Sequence, residues 1–186
     1  EWHCDVAVTG SQKGWMVPPG LAMVSVSPEA WQAYEKAKMP RFNWDFNRAK
    51  SYLEKGQTPW TPAVSLFFAF SVALEMMLKE GLANIFARHA RVGKTARDGV
   101  KSLGLSLFAE EKYASNTVTA IKAKEELDTK KLLKMMREEH QIVLAGGQQS
   151  LDGKIFRIGH LGLVTEDDIA DVISALKVTL PRAGKA

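Results

Sequence analysis

Two long helices laid end to end through the middle of the chain constrain its fold most. From Pro62 the apolar spacing predicts a helix through Lys79, which Gly81 ends. A second helix follows at once. Its apolar stripe is Leu82, Ile85, Phe86, His89, Val92, Ala96, Val100 and Leu103, spaced by threes and fours, and Gly104 stops it. Strand-like segments are therefore confined to the two flanks, which makes the chain a mixed α/β protein with a helical crossing at its centre.

On the N-terminal flank, residues 5–9 read as a short strand buried in a core. A Gly10–Gly14 turn and the Pro18-Pro19-Gly20 punctuation lead into a second apolar strand over 21–27. The pair looks like a hairpin inside a larger sheet. Ser27 then caps a helix with Pro28 in its first position, running to about residue 38. Residues 39–61 are irregular and rich in aromatics (Phe42, Trp44, Phe46, Tyr52, Trp60), with a helical turn around 48–55.

After Gly104, strands and helices alternate. Strands are expected over 105–108, 117–121, 141–145 and 154–158, the third stopped by Gly146-Gly147 and the fourth entered by an Asp152-Gly153 turn. Asp128 caps a helix to about residue 139. Thr165 with Asp168 forms a capping box for a last helix, which Pro181 ends. Residues 1–60 thus read as the end of an α/β sheet domain plus a crossing segment, and residues from about 80 as a compact α+β unit.

Composition narrows the function. In 186 residues, 46% are hydrophobic and 25% charged, which excludes collagen, a disordered tail and a disulfide scaffold. The longest apolar stretch, residues 63–78, carries Glu75 and two serines, falls short of the roughly 18 uninterrupted apolar residues of a membrane span and reads as a buried helix. With one cysteine, Cys4, the chain has no internal disulfide and no cysteine-ligated zinc or iron–sulfur site. Cys4, beside the strand start, is expected as a small buried hydrophobe. The net charge of +4 comes with interspersed lysines and glutamates, a solvated surface and not a nucleic-acid stripe. The chain opens at Glu1 and reaches an apolar run by Val6, which suggests a processed or truncated protein.

Lys13 is the first candidate for chemistry. It follows an apolar strand inside a glycine-bounded turn. There an amine can be held in the cleft at a strand's end, where open α/β sheets bind ligands. A desolvated lysine amine attacks carbonyls to give a Schiff base. An exposed turn lysine is the ordinary alternative.

The stretch Asp5-Val-Ala-Val-Thr-Gly-Ser-Gln-Lys13-Gly-Trp-Met-Val-Pro-Pro-Gly20 resembles the lysine segment of class V aminotransferases, above all their alanine–glyoxylate and serine–pyruvate branch. Phe42-Asn-Trp-Asp45, Trp60-Thr61-Pro62-Ala-Val64, and Gly153-Lys-Ile-Phe-Arg157-Ile-Gly159 with Gly162 resemble further family segments, in the same order. The resemblance spans essentially the whole chain. It implies the C-terminal half of a pyridoxal phosphate-dependent enzyme of fold type I. Residues 1–61 would close the large domain, 62–80 form a connecting helix, and 81–186 form the small domain.

The resemblance also implies roles. Lys13 would carry the cofactor as a Schiff base and move the substrate's proton, and Gln12 would contact the cofactor near its phosphate. Thr61 would reach the phosphate bound by a neighbouring subunit, and Arg157 would bind the α-carboxylate, which a planar fork suits. Unaided, a strand arginine reads as a salt-bridge partner and a threonine before proline as a helix cap. Some relatives carry a tyrosine three residues before that threonine, where this chain has Thr58. The pyridine-nitrogen aspartate, the stacking aromatic and the Ser-Gly phosphate loop of the family precede the lysine segment. The implied enzyme is a cytoplasmic homodimer that exchanges an amino group between alanine or serine and a 2-oxo acid such as glyoxylate or pyruvate. The competing reading is a folded, non-enzymatic fragment.

Other segments carry less. Gly93-Lys94-Thr95 ends like a P-loop, but that motif's first glycine would fall on Arg88 within a helical period. His3, His89, His140 and His160 lack metal-ligand spacing, and His89 reads as a packed core histidine. Met76-Met77 and Met135-Met136 read as core filler. A desulfurase is disfavoured because its relatives place His before the lysine, where this chain has Gln12. Members of the branch have carried a soluble-hydrogenase subunit label, but one cysteine cannot hold a nickel–iron centre with clusters.

Overall fold

The computed structural model describes residues 3–185. Contacts between backbone segments divide the chain into two compact units, 1–76 and 77–186.

In the first unit, β1 (Val6–Gly10) pairs antiparallel with β2 (Ala22–Val26), with Val8 opposite Val24. Both strands are solvent-facing: Val8 is 68% exposed, and Val6 and Val24 are exposed too. The burial expected of residues 5–9 is therefore not seen. An apolar run becomes core only when another layer covers it, and these strands form a two-stranded sheet paired with each other. Cys4, which leads into β1, is likewise exposed and not the buried hydrophobe expected.

The helix α1 (Pro28–Lys36) starts as predicted, with the Ser27 hydroxyl accepting from the Ala30 N–H, but ends two residues early. The helix α2 (Phe46–Leu53) starts at Asp45, whose carboxylate accepts from the Arg48 N–H. Its cap is the Asp of the Phe42–Asp45 motif. The helix α3 (Val64–Glu80) begins two residues after Pro62 and is not the buried helix expected: Ala73 is buried, while Val64, Phe68, Val72 and Leu78 are exposed.

In the second unit, Gly81 takes φ 83°, a left-handed value that glycine adopts without strain, and so ends α3 while starting α4 (Leu82–Ser102). One face of α4 is buried through Ile85, Val92, Ala96 and Val100. The predicted stripe is narrower at its start: Leu82 and Phe86 are exposed. Close approach of helices explains Gly99, where a Cβ would lie 2.5 Å from Ile173 Cγ1 on α6 (Glu166–Thr179).

The strands β3 (Val118–Lys122), β4 (Ala145–Gly146) and β5 (Ile155–Gly159) form an antiparallel sheet in the order β3-β5-β4. The helix α5 (Thr129–His140), capped by Asp128, lies between β3 and β4 in sequence. The predicted strand at 105–108 reduces to one bridge, Leu107 to Ile121, flanked by Phe108 N–H to Ala120 O and Lys122 N–H to Ser106 O bonds. The predicted strand at 141–145 shrinks and shifts. Gln141 sits at φ 58° closing α5, with the Ile142 N–H bonded to Met136 O, so those residues still belong to the helix end. The Thr165–Asp168 capping box forms as expected, in both directions.

The core of this unit is Val92, Val100, Ile121, Leu132, Met136, Phe156, Ile158, Ile169 and Leu176, with their neighbours. Each large side chain buried there contributes about 1.5–3 kcal/mol. This core fixes β5 as the central strand, with Phe156 and Ile158 facing inward and Arg157 on the other face.

Candidate active site

The lysine turn is built on a fully buried serine. Ser11 follows β1 and has all its polar groups engaged. Its N–H donates to Leu21 O (3.0 Å) and its carbonyl accepts from the Val17 N–H (3.2 Å). Its hydroxyl donates to Pro18 O (2.7 Å) and accepts from the Leu21 N–H (3.2 Å). The Pro18–Leu21 strand entry is thereby tied to the end of β1.

Above this base the turn closes through Lys13 N–H to Gly10 O and Met16 N–H to Lys13 O bonds, both 3.1 Å; the lysine side chain is exposed, so within this chain the amine is not the desolvated group considered from the sequence. The Gln12 amide folds back over Gly10, where a Cβ would lie 2.6 Å from Gln12 Oε1. Trp15 braces the far side, donating to Thr9 Oγ1 (3.1 Å) and meeting Phe70 edge-on with centroids 5.5 Å apart. Gly20, at φ 142°, lets the chain pass Leu66, whose Cδ1 would stand 2.4 Å from a Cβ there.

Thr61 is exposed and follows a braced residue. The Thr58 hydroxyl donates to Trp60 O (2.6 Å). The Trp60 ring lies 5.5 Å from that of Phe42, with the Arg48 guanidinium 4.6 Å from the Trp60 ring and 4.7 Å from the Phe42 ring. In this chain Thr58 thus serves as an internal tie. Asp45 is a structural hub. Its carboxylate accepts from the Arg48 N–H, from the Tyr34 hydroxyl at 2.8 and 3.0 Å, and from Arg41 Nε at 3.0 Å. These bonds, the one from the Arg48 backbone first, hold its carboxyl below the ordinary range.

Arg157 lies on β5 in the second unit, half-buried, opposite Ala120 on β3 and Ala145 on β4. Its Nε donates to Gly146 O (3.0 Å). Among the described residues it makes no ion pair, so the ordinary salt-bridge reading of a strand arginine does not apply. Its terminal nitrogens, the fork that grips a carboxylate, are not taken up by an acidic neighbour. Gln12 and Lys13 therefore share one turn, Thr61 belongs to the same unit, and Arg157 belongs to the other.

The remaining motifs take structural places. Gly93 packs in α4 against Asn116 and His160, Lys94 pairs with Asp98, and the Thr95 hydroxyl bonds back to Arg91 O. His89 is half-buried and bonded to Ile85 O and the Gly162 N–H. The fully buried histidine is His160, between Thr119 Oγ1 (2.9 Å) and Asn116 O (3.1 Å). Among the described residues no group of three His, Cys, Asp or Glu is placed to hold a metal, and no helix is long and apolar enough to cross a membrane.

Residues 1–168 match the family model of class-V aminotransferases. The chain belongs to that family. It is 47% identical over 184 residues to a soluble hydrogenase small subunit of Synechococcus sp. (strain PCC 6716), covering 99% of this chain and 48% of that protein. It is 36% identical over 186 residues to a serine–glyoxylate aminotransferase of Arabidopsis thaliana, covering 99% of this chain and 46% of that one. Among solved structures, an alanine–glyoxylate aminotransferase of Nostoc sp. superposes with a TM-score of 0.90 at 29% identity, over 96% of this chain and 48% of that one. The pyridoxamine–pyruvate aminotransferase of Mesorhizobium loti gives 0.89 at 34%, over 98% and 48%. The class-V aminotransferase chain therefore has the fold of about half a fold-type I, pyridoxal phosphate-dependent aminotransferase. It spans about half the length of the curated relatives it matches.

Proposed function

We propose that this chain is the C-terminal half of an aminotransferase exchanging an amino group between alanine or serine and a 2-oxo acid such as glyoxylate or pyruvate. In this reading residues 1–61 end the cofactor-binding domain, 62–80 connect, and 81–186 form the small domain of a cytoplasmic homodimer. The lysine turn is the observation that carries it. A fully buried serine fixes the backbone of the Gly10–Gly14 turn, and that fixed turn, within the residues matching the family, presents Lys13.

The donor set suits pyridoxal phosphate. Lys13 offers a primary amine to an aldehyde. Gln12 offers an amide close by, and Thr61 a hydroxyl for a phosphate in a neighbouring subunit. The cofactor, when bound, supplies the aldehyde and the electron sink that make the amino acid's Cα–H acidic. The chain's own part is positional and acid–base. Lys13 Nζ would hold the cofactor and, once the substrate amine has displaced it, would carry the proton from the substrate Cα to C4′ of the cofactor. Arg157, anchored through Nε, keeps its outer nitrogens for the α-carboxylate.

The deciding experiment is reductive trapping. The 186-residue chain is incubated with pyridoxal phosphate, reduced with borohydride and mapped by peptide mass. The expected label sits on Lys13; a label on another lysine refutes the assignment. A second reading, a non-enzymatic folded fragment, draws on the apolar side chains of Val8 and Phe68, which are exposed. Under it no adduct forms. Under either reading the chain assayed alone with alanine or serine and glyoxylate turns over no faster than free cofactor.

A further inference from the structure

We propose that Arg88 and His89 are positioning residues for Arg157, fastening both backbone groups of Gly162 so that β5 ends in one place. The proposal rests on reading Arg157 as the carboxylate binder.

The two residues are consecutive on α4 and straddle one glycine. Arg88 Nη1 donates to Gly162 O (2.6 Å), and the Gly162 N–H donates to His89 Nε2 (3.1 Å). His89 Nδ1 lies 2.8 Å from Ile85 O. An acceptor at Nε2 and a carbonyl at Nδ1 assign the neutral tautomer with its proton on Nδ1. The rest of the Arg88 fork is held by Glu80, at the end of α3, through Nε to Oε1 (2.7 Å) and Nη2 to Oε2 (2.9 Å). The Arg88 side chain is 18% exposed, so this is a partly buried grip and not a loose surface pair. Gly162 sits at φ 82°, a conformation other residues resist, which lets the chain present both groups to α4.

Arg157 needs such a support. Its cross-strand neighbours are Ala120 and Ala145, so no long side chain on either flank steers the guanidinium. Its place follows the backbone. The ladder to β4 is two residues long, and the ladder to β3 ends at the Val118–Gly159 pair. Beyond that, the exit of β5 is held at His160, by its N–H to Thr117 O bond (2.9 Å) and its buried ring between Thr119 Oγ1 and Asn116 O, and then by the clasp on Gly162. Releasing the clasp leaves His160 as the anchor at the exit of the strand that bears the arginine and removes the restraint on the chain beyond it.

The test compares two amine donors in the holoenzyme that contains this chain: alanine, and ethylamine, which lacks the carboxylate. The half-reaction rate ratio of the two reads carboxylate recognition alone. Misplacement of a binding group by about 1 Å costs up to about 10²-fold. Arg88→Met and His89→Leu are expected to lower the ratio about tenfold while the ethylamine rate and the cofactor content hold, and Arg88→Lys is expected to recover part of the loss. In the 186-residue chain, the Arg157 Nε–H should exchange with solvent faster in Arg88→Met than in the parent. Arg157→Met is the reference. If it leaves the ratio unchanged, the carboxylate reading itself falls. If it collapses the ratio but the clasp variants do not, the clasp proposal falls. Equal slowing of both amines, or unchanged Nε–H exchange in Arg88→Met, also overturns it. Should Arg88→Met fail to fold, Glu80→Gln, which weakens the grip on Arg88 without removing it, is expected to lower the ratio in the same direction, and an unchanged ratio refutes the proposal.

Discussion

Acidification between pH 6.5 and 5 should destabilise the second unit through His160. The ring is fully buried. Burial is the chief cause that pushes its pKa below the ordinary value of 6.5, and the Arg97 guanidinium on α4 pushes the same way. The bond to Asn116 O opposes them in part. The neutral ring accepts from or donates to Thr119 Oγ1 on β3 and meets Asn116 O, so both nitrogens are satisfied without a charge. The unfolded chain takes up a proton near pH 6.5 while the folded chain does not. Stability is therefore fully present above 6.5 and is lost as the pH falls towards the folded pKa. The loss is at most about 1.36 kcal/mol per pH unit for one proton. Carboxylates such as Glu80, whose pKa Arg88 lowers, act in a separate window below its ordinary value of 4.5. The assay is urea unfolding at pH 5, 6, 7 and 8 at constant salt, read by amide exchange at Ile121 and Ile158 so that the second unit alone is reported. In His160→Gln the absolute stability drops, but the slope between pH 6.5 and 5 should vanish. The same slope in the variant and the parent would refute the assignment to His160.

Other outcomes follow from named contacts. Ser11→Ala leaves Pro18 O and the Leu21 N–H without their hydroxyl partner. The first unit should lose about 1–3 kcal/mol, measured by denaturant unfolding followed through Trp15 fluorescence. Gly147→Ala puts a Cβ 1.9 Å from the backbone Leu151 O, a contact only movement of the 147–152 turn can relieve. A loss of about 1–3 kcal/mol or more is expected in thermal melts, and a neutral result would mean the turn is looser than described. Arg157→Lys in the complete enzyme replaces a fork with a point charge. Amino-acid binding should weaken by about 1.5–3 kcal/mol with cofactor content unchanged, as read by half-reaction kinetics and absorbance.

Helices and caps were the part of the fold most legible in the sequence, because their signals are local. Ser27, Asp128 and the Thr165–Asp168 pair each bond within a few residues, and each cap forms. Strands were less legible because a strand is completed by partners far away in sequence. Residues 105–108 carry an apolar pattern and two ladder-like bonds but only one bridge. Residues 141–145 carry one too, yet Gln141 and Ile142 are claimed by the end of α5. Burial follows packing and not pattern: Val8 has the apolar character of a core residue and is exposed.

The candidate site divides along the same line. Lys13 stands out because a lysine in a glycine-bounded turn after a strand is a local oddity. Ser11, two residues earlier, is ordinary by type. Its importance lies in bonds to Pro18 and Leu21, which a hydroxyl just past a strand end hints at but cannot specify. The same holds for Arg88 and His89. On a helical wheel they are one charged residue and one stripe residue. Only the fold brings Gly162, more than seventy positions away, between them. A residue that acts on a ligand is marked by its own chemistry. A residue that acts by holding backbone is marked by what it touches, and contacts across that separation are a property of topology, not of spacing.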